Sequence, residues 1–216
     1  MENVEKRRLN KTYRIASFHS KRYNQEKLRA ENSMNTVQPI RDAQIISQIK
    51  KLLQDRGSKY YIMFVIGLNT GLRVSDILKL RAGDVRDKDH ITLTEKKTGK
   101  YNRFLINNQL KKEIDSYLAG AKLADDEYII YSRKGENQPL SRIQAYKILN
   151  SAAKNFNITD VGTHTMRKTF GYWHYKQYKD VAVLQNIFNH AAPSITLKYI
   201  GINDDARDNT LKDFFL

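Results

Sequence analysis

The apolar run from Tyr60 to Asn69 constrains the fold more than any other segment, because it places large side chains on every face of a helix. A helix that is apolar all round belongs at the centre of a core, with other elements packed around it. Gly71 follows almost directly, where a left-handed residue ends many helices. The run is only about half of the roughly 20 residues that a membrane-spanning helix needs. The sequence therefore predicts a core built around this helix and no membrane segment.

The rest of the pattern predicts a mainly α-helical domain with one small antiparallel β-hairpin. Helices are expected where apolar residues recur at helical spacing, and strands where short β-branched stretches flank a turn. The predicted helices are 45–53, 74–80, 109–118, 142–156, 164–178, 181–188 and 194–199, and the predicted strands are 91–94 and 102–106. Ser141 supplies an N-cap, Pro193 opens the last helix, and Gly99 can take the positive φ of the hairpin turn.

The chain is strongly basic, with 38 Lys plus Arg against 23 Asp plus Glu and a formal net charge of +15. Such an excess predicts a polyanionic partner, usually nucleic acid, although a merely basic protein is the alternative. Cysteine is absent, which excludes disulfide frameworks, thiol nucleophiles and cysteine metal sites. The polar N-terminus MENVEKRR has no apolar signal region behind it, so we expect a cytoplasmic protein that works on DNA.

Residues 1–37 differ from the rest, because nine of them are Lys or Arg and few are apolar residues of core size. We interpret them as a basic arm, in which the candidate DNA-binding residues are Arg7, Arg8, Arg14, Lys21 and Arg22. A disordered, solvated tail is the alternative, and both can hold because basic arms often become ordered on nucleic acid. Residues 38–216 then form one domain, whose C-terminal tail over 206–216 ends in Leu211, Phe214, Phe215 and Leu216.

Six side chains occur in an order that suits chemistry at a phosphodiester: Arg73, Lys97, His164, Arg167, His190 and Tyr199. His164 and Arg167 are three residues apart on a predicted helix and so share a face. Two guanidiniums can hold phosphate oxygens bidentately, which lysine cannot do. A tyrosine has a pKa near 10 and needs a proton acceptor to attack phosphorus. Lys96 and Lys100 flank Lys97, so a general phosphate-binding patch stays open as an interpretation of that turn.

The sequence around these residues resembles the tyrosine recombinase (phage integrase) family. The matching pieces are Thr-Gly-Leu-Arg-Val-Ser-Asp at 70–76, Lys-Thr-Gly at 97–99, His-Thr-Met-Arg at 164–167, and His190 with Tyr199 nine residues later. The resemblance covers about residue 38 to the end and implies the catalytic-domain fold of that family over 38–216. It implies a site-specific DNA recombinase that cleaves and rejoins DNA through a 3′-phosphotyrosine, in integration, excision or inversion, without a metal or cofactor.

The resemblance also implies a role for each residue. Arg73 and Arg167 hold the scissile phosphate, and His190 donates a hydrogen bond to it. His164 is associated with the proton of the attacking phenol, and Lys97 with the proton of the leaving 5′-oxygen. The implied partners are double-stranded DNA at specific sites and further copies of the chain, four protomers on paired sites.

Two features depart from the family pattern. Many members carry a separate core-binding domain before the catalytic one, whereas only about 37 residues precede the match here, so the arm or an accessory DNA-bending protein would take over that task. The third residue of the His-x-x-Arg motif is Met166, where Leu is commoner; this swap conserves volume. Two alternatives stay open: a DNA-binding module of the same fold without recombination activity, and an enzyme resembling type IB topoisomerases.

Overall fold

The structure is a computed structural model that describes residues 37–94, 101–212 and 214–215. The predicted hairpin lysines and the predicted DNA-binding residues of the arm lie outside these ranges: Lys96, Lys97, Lys100, Arg7, Arg8, Arg14, Lys21 and Arg22. Within these ranges, no helix has the length and apolar character required to cross a bilayer.

The described chain folds into helices and one hairpin in this order: α1 Ala43–Arg56, α2 Ser58–Thr70, α3 Val74–Ile77, a 3₁₀ turn Ala82–Asp84, β1 His90–Thr94, β2 Tyr101–Leu105, α4 Asn108–Ala121, α5 Arg142–Lys154, α6 Thr165–Tyr178, α7 Val181–Phe188, α8 Pro193–Tyr199 and α9 Ile202–Leu211. The two strands pair antiparallel, with His90 opposite Leu105 and Thr94 opposite Tyr101. The predicted mainly helical architecture with a small antiparallel hairpin is confirmed.

Helix α2 lies at the centre of the domain, where it contacts α1, α4 and α6. Its residues Ile62, Met63 and Ile66 are fully buried, as an all-round apolar helix requires. Gly71 ends it in the left-handed conformation with φ of +67°. A Cβ at Gly71 would lie 2.5 Å from Cδ1 of Phe170 on α6. The glycine therefore permits both the turn and the close approach of α2 to α6.

Helix α3 is shorter than the predicted 74–80 and ends at Ile77. The helix ends because backbone groups after Ile77 form hydrogen bonds with a distant segment instead. The Leu80 carbonyl accepts a hydrogen bond from the Ile129 amide at 3.0 Å. Arg81 then pairs with Tyr128 in an isolated antiparallel bridge. The sequence predicted no element around 128–130, so this pairing was missed.

The buried apolar side chains form two clusters. The main core contains residues of α1 to α6, from Ile40 to Met166. The smaller group, here called the tyrosine cluster, consists of buried Leu184, Phe188 and Ile200 with partly buried neighbours. Helix α6 contributes Met166 to the main core and Phe170 to the tyrosine cluster, and so it joins the two regions.

Candidate active site

Arg167 is buried where α6 passes the end of α2, with only 4% of the residue exposed. Its guanidinium donates hydrogen bonds to the carbonyls of Gly71 at 2.5 Å and Phe188 at 3.1 Å. The guanidinium carbon also lies 4.5 Å from the centre of the Phe188 ring. Burial is the main cause that lowers the pKa of Arg167 to about 10, so the group remains a cation at neutral pH. The two carbonyls thus fix the position of the positively charged guanidinium.

A cleft of about 230 Å³ opens beside Arg167. Arg73, which precedes α3, is exposed and lines the same cleft. Asp76 of α3, Asn102 and Phe104 of β2 and Asn189 after α7 also line it. Two guanidiniums, one buried and one exposed, therefore face a solvent-open space of the kind that binds a phosphate group.

Tyr199 is the last residue of α8, and its hydroxyl lies 3.1 Å from Nδ1 of His164, the residue that precedes α6. The phenol ring packs edge-on against Phe188, with ring centres 5.4 Å apart, and against His190, with ring centres 5.1 Å apart. These contacts leave the ring partly buried and direct its hydroxyl to His164.

The surroundings of Tyr199 and His164 shift the pKa values of the two groups so that their protonation states suit a proton donor beside a proton acceptor. Burial raises the pKa of the Tyr199 phenol, although the charges of Arg167 and Arg73 oppose this shift. Burial also lowers the pKa of His164, and nearby cations, of which Arg167 contributes most, act in the same direction. At neutral pH the imidazole is therefore neutral and the phenol protonated, which suits transfer of a proton from oxygen to nitrogen.

His190 is held by Thr196, whose hydroxyl lies 3.0 Å from His190 Nδ1 and which is fully buried on α8. Burial lowers the pKa of His190, with Arg167 and Arg73 acting in the same direction. The ring is thus neutral at pH 7. Because Thr196 engages Nδ1, Nε2 is the ring nitrogen that remains for a ligand.

The structure brings five of the six predicted residues to one place: Arg73, His164, Arg167, His190 and Tyr199. Lys97, with its neighbours Lys96 and Lys100, lies outside the described residues. The strands on either side of that turn reach the cleft, since Thr94 of β1 and Asn102 of β2 line it. Lys97 therefore stays a prediction, connected to two strands that end at the site.

Several residues near the site were not predicted. Lys168 places Nζ 5.1 Å from the centre of the Tyr199 ring, and Lys79 and Asn189 line the cleft. Lys168 directly follows Arg167 and Asn189 directly precedes His190, so adjacency to the motif was the available signal. Across the described ranges, no group of three or more His, Asp or Glu side chains is arranged to hold a metal ion.

Comparison with known proteins shows that the sequence of this chain is similar to integrases and tyrosine recombinases. The Phage integrase family pattern matches residues 40–206. The probable integrase/recombinase YoeC of Bacillus subtilis is 45% identical over 181 residues, which are 84% of this chain and 98% of YoeC. The tyrosine recombinase XerA of Pyrococcus furiosus is 28% identical over 158 residues, which are 70% of this chain and 54% of XerA. The chain thus spans nearly all of YoeC but about half of XerA.

Solved structures show the same fold. The crystal structure of XerA recombinase superimposes with a TM-score of 0.65 at 20% identity, over 82% of this chain and 65% of that one. XerH recombinase bound to a palindromic difH substrate gives 0.64 at 15% identity, over 83% of this chain and 54% of XerH. The fold and the arrangement of side chains define a tyrosine recombinase catalytic domain. The chain belongs to the phage integrase family, and the resemblance noted in the sequence is confirmed.

Proposed function

We propose that this chain is a site-specific DNA recombinase that uses Tyr199 to cleave and rejoin double-stranded DNA at specific sites. The observation that carries this proposal is the 3.1 Å contact of the Tyr199 hydroxyl with His164, beside a cleft that Arg73 and Arg167 line. The net charge of +15 supports a DNA substrate, as does the likeness to XerH recombinase, which was solved on DNA.

In the proposed reaction, the Tyr199 oxygen attacks the scissile phosphorus while its proton passes to His164. The bond from phosphorus to the 5′-oxygen breaks, a 3′-phosphotyrosine forms, and Lys97 protonates the leaving oxygen to a hydroxyl. In rejoining, a 5′-hydroxyl attacks the phosphotyrosine and Tyr199 recovers its proton. The phosphotyrosine ester conserves the bond, so the reaction needs no external energy source.

The remaining three residues stabilise the charge on phosphate. Arg73 and Arg167 donate to the non-bridging oxygens, which gain negative charge in the transition state. In the tautomer that accepts the Thr196 hydroxyl at Nδ1, His190 carries its hydrogen on Nε2 and can donate it to a phosphate oxygen. Carbonyl contacts fix Arg167 in advance, so this cation does not need to reorganise when phosphate binds.

The test uses nicked suicide substrates made from DNA that flanks the gene, with covalent adducts detected on denaturing gels. Tyr199→Phe removes one oxygen, and we expect it to abolish the adduct while DNA affinity changes little. Tyr178→Phe is the matched control, because Tyr178 is a 61% exposed tyrosine at the end of α6. An adduct that persists in Tyr199→Phe would show that another residue is the nucleophile.

The adduct assay, together with plasmid-relaxation and strand-exchange assays, separates the alternatives. A DNA-binding module without activity would bind the flanking DNA and give no adduct with the wild-type chain. A topoisomerase-like enzyme would relax supercoiled plasmid that lacks the flanking sites, without exchange of strands. A recombinase gives site-dependent adducts and recombinant products.

The C-terminal tail is proposed to dock on a neighbouring protomer in an assembly of four on paired sites. Leu211, Phe214 and Phe215 are 56%, 63% and 95% exposed, so these side chains are not buried on their own domain. Exposed apolar groups of this size favour a partner. Removal of residues 209–216 should leave a folded monomer that binds one site but loses cooperative binding of paired sites in gel-shift titrations. Assembly equal to wild type would contradict docking in trans, and unfolding would assign the tail to its own core.

The basic segment 1–37 is proposed to contact DNA phosphates through Arg7, Arg8, Arg14, Lys21 and Arg22, and Lys96 and Lys100 are proposed to do so from the hairpin turn. Phosphate contacts of this kind add affinity that falls with salt and carries no sequence information. An accessory DNA-bending protein is a further proposed partner.

A further inference from the structure

Arg41 lies just before α1 and contacts the turn that follows Tyr199. Its Nε donates to Oδ1 of Asp205 at 2.9 Å, and Nη2 lies 3.4 Å from the carbonyl oxygen of Gly201. Its guanidinium carbon lies 5.4 Å from the centre of the Tyr172 ring on α6. One side chain thus links the start of the domain, α6, and the turn between α8 and α9.

The turn has the shape that this contact requires. Gly201, two residues after Tyr199, has φ of +79° and lets the chain reverse from α8 into α9. A Cβ at Gly201 would lie 2.6 Å from Nη2 of Arg41. A side chain at this position would therefore strain the backbone and also displace the guanidinium.

Helix α9 is tied to α6 by its acidic first turn, which carries Asp204 and Asp205. Burial, followed by the charge and hydrogen bond of Asp205, raises the pKa of the Tyr172 phenol. Burial lowers the pKa of Lys168, and the negative charge of Asp204 opposes this shift. The Lys168 Nζ lies over the Tyr199 ring. The acidic first turn of α9 thus lies close to Tyr172 and Lys168 of α6.

Arg41 extends from a fixed base. The amide of Ile40 donates to the Thr169 hydroxyl at 2.9 Å, and the Ile40 carbonyl accepts from the indole of Trp173 at 3.0 Å. The Gln38 amide donates to the Asp160 carbonyl at 2.9 Å. Ile40 and Thr169 are both buried, at 4% and 1% exposure. The segment before Arg41 is thus bound to α6 through Ile40 and to the loop that precedes α6 through Gln38.

Tyr199 needs such support from behind, because its own helix is short. Helix α8 has seven residues, and the tyrosine cluster beneath it has three fully buried side chains. A reacting group must be held within about 0.5 Å of its productive position, and an error of about 1 Å can lower the rate about 10²-fold.

We propose that Arg41 is a positioning residue for Tyr199: its contacts with Asp205 and the Gly201 carbonyl fix the turn after α8 and so hold the phenol beside His164. This inference rests on the proposed role of Tyr199 as the nucleophile. Arg41 touches no reacting atom and acts only through the turn.

The first test measures single-turnover cleavage of the suicide substrate at saturating DNA. Arg41→Gln and Asp205→Asn should each lower the rate about 10-fold to 10²-fold, while the Kd for DNA changes less than about twofold. The double variant should be no slower than the slower single variant, because both changes remove the same Arg41–Asp205 ion pair. Arg41→Lys keeps the charge and should fall between wild type and Arg41→Gln.

Arg86→Gln is the matched control. Arg86 donates Nε to Asp125 at 2.7 Å and Nη2 to the Leu123 carbonyl at 2.6 Å, so it makes the same kinds of contact away from the site. We expect this variant to cleave within about twofold of wild type. Melting temperatures of Arg41→Gln and Arg86→Gln should differ little, since the two arginine side chains are similarly exposed, at 34% and 37%, and each variant loses one ion pair.

A second readout separates positioning from general structural damage. Once the adduct has formed, the covalent bond itself holds Tyr199 at the phosphate. Religation of a preformed adduct with a 5′-hydroxyl strand should therefore be nearly normal in Arg41→Gln, whereas cleavage is slow. A structural role would slow both steps equally.

Two results would overturn the inference alone: Arg41→Gln cleaving as fast as Arg86→Gln, or religation falling as much as cleavage. A wild-type chain that forms no adduct would instead overturn the proposed function, and this inference with it. These failures are distinguishable because the first requires a wild-type adduct.

Discussion

The two halves of the site are held in place by different means. Arg167 lies on α6, where neighbouring residues belong to the main core, and backbone carbonyls fix its guanidinium. Tyr199 lies on a seven-residue helix, supported by the three residues of the tyrosine cluster and by polar ties to α9. Arg167, in the proposed phosphate-binding half, is therefore fixed by a core helix and by carbonyls from both regions, whereas Tyr199, the proposed nucleophile, is fixed by a few contacts. Loss of order should appear first in the nucleophile half.

Among substitutions that keep the Tyr199 hydroxyl, those of Arg73 and Arg167 should have the largest effect on the cleavage rate. Arg73→Lys and Arg167→Lys keep the positive charge but lose the two-pronged hydrogen bonding of the guanidinium. We expect the cleavage rate to fall about 10²-fold or more, as for loss of an oxyanion donor. Arg167→Lys should be the more damaging, since lysine cannot satisfy both carbonyls and a phosphate. Single-turnover cleavage measures this, with the exposed Arg81→Lys as control. A variant within a few-fold of wild type would place that arginine outside the site.

Substitution of one buried phenylalanine in each region tests whether their stabilities differ. Phe64 is 2% exposed in the main core and Phe188 is 1% exposed in the tyrosine cluster. Each change to Ala should cost about 3–5 kcal/mol. In native-state hydrogen exchange, we expect Phe188→Ala to expose amides of α7 and α8 while α2 stays protected, and Phe64→Ala to weaken protection everywhere. Equal loss throughout in both variants would mean that the two regions unfold as one unit.

The smallest effect is expected for a charge that tunes the pKa of His164, and the pH profile of cleavage measures it. The pKa of His164 is lowered from 6.5, so the imidazole is the neutral base at pH 7 and the rate should fall tenfold per pH unit only below 6.5. Arg142 is the weakest of the cations that lower this pKa, so Arg142→Gln should move the acid limb slightly upward and change the rate at pH 7 less than about twofold. Lys154→Gln on the same helix is the control. An acid limb above pH 6.5 in wild type would contradict the assignment of His164.

The parts of the site that depend on neighbours in the chain could be predicted from the sequence. The spacing of His164 and Arg167 follows from helical periodicity, and the left-handed Gly71 from the rule for helix ends. The antiparallel hairpin, although not its register, followed from two short strands that flank a glycine turn. Each of these features is decided by a few adjacent residues.

Other parts depend on contacts between distant residues. Arg41 and Asp205 are 164 positions apart, and nothing in either sequence neighbourhood marks their contact. Helix α3 ends early because Leu80 and Arg81 pair with residues nearly 50 positions later. Which hairpin lysine acts as the acid stays a prediction, because residues 95–100 lie outside the described ranges. Local patterns therefore revealed the reacting groups but not what aligns them.

The contact between His164 and Tyr199 has a genetic consequence, because both side chains belong to one polypeptide. Arg167, which we propose to bind the scissile phosphate, is on that polypeptide too. Two defective alleles, one with Tyr199→Phe and one with Arg167→Lys, would therefore fail to complement each other in a heteroallelic cell. In the reaction proposed above, mixing their subunits restores no complete set of groups, since each set comes from one chain. Selection then acts on each copy as an indivisible unit.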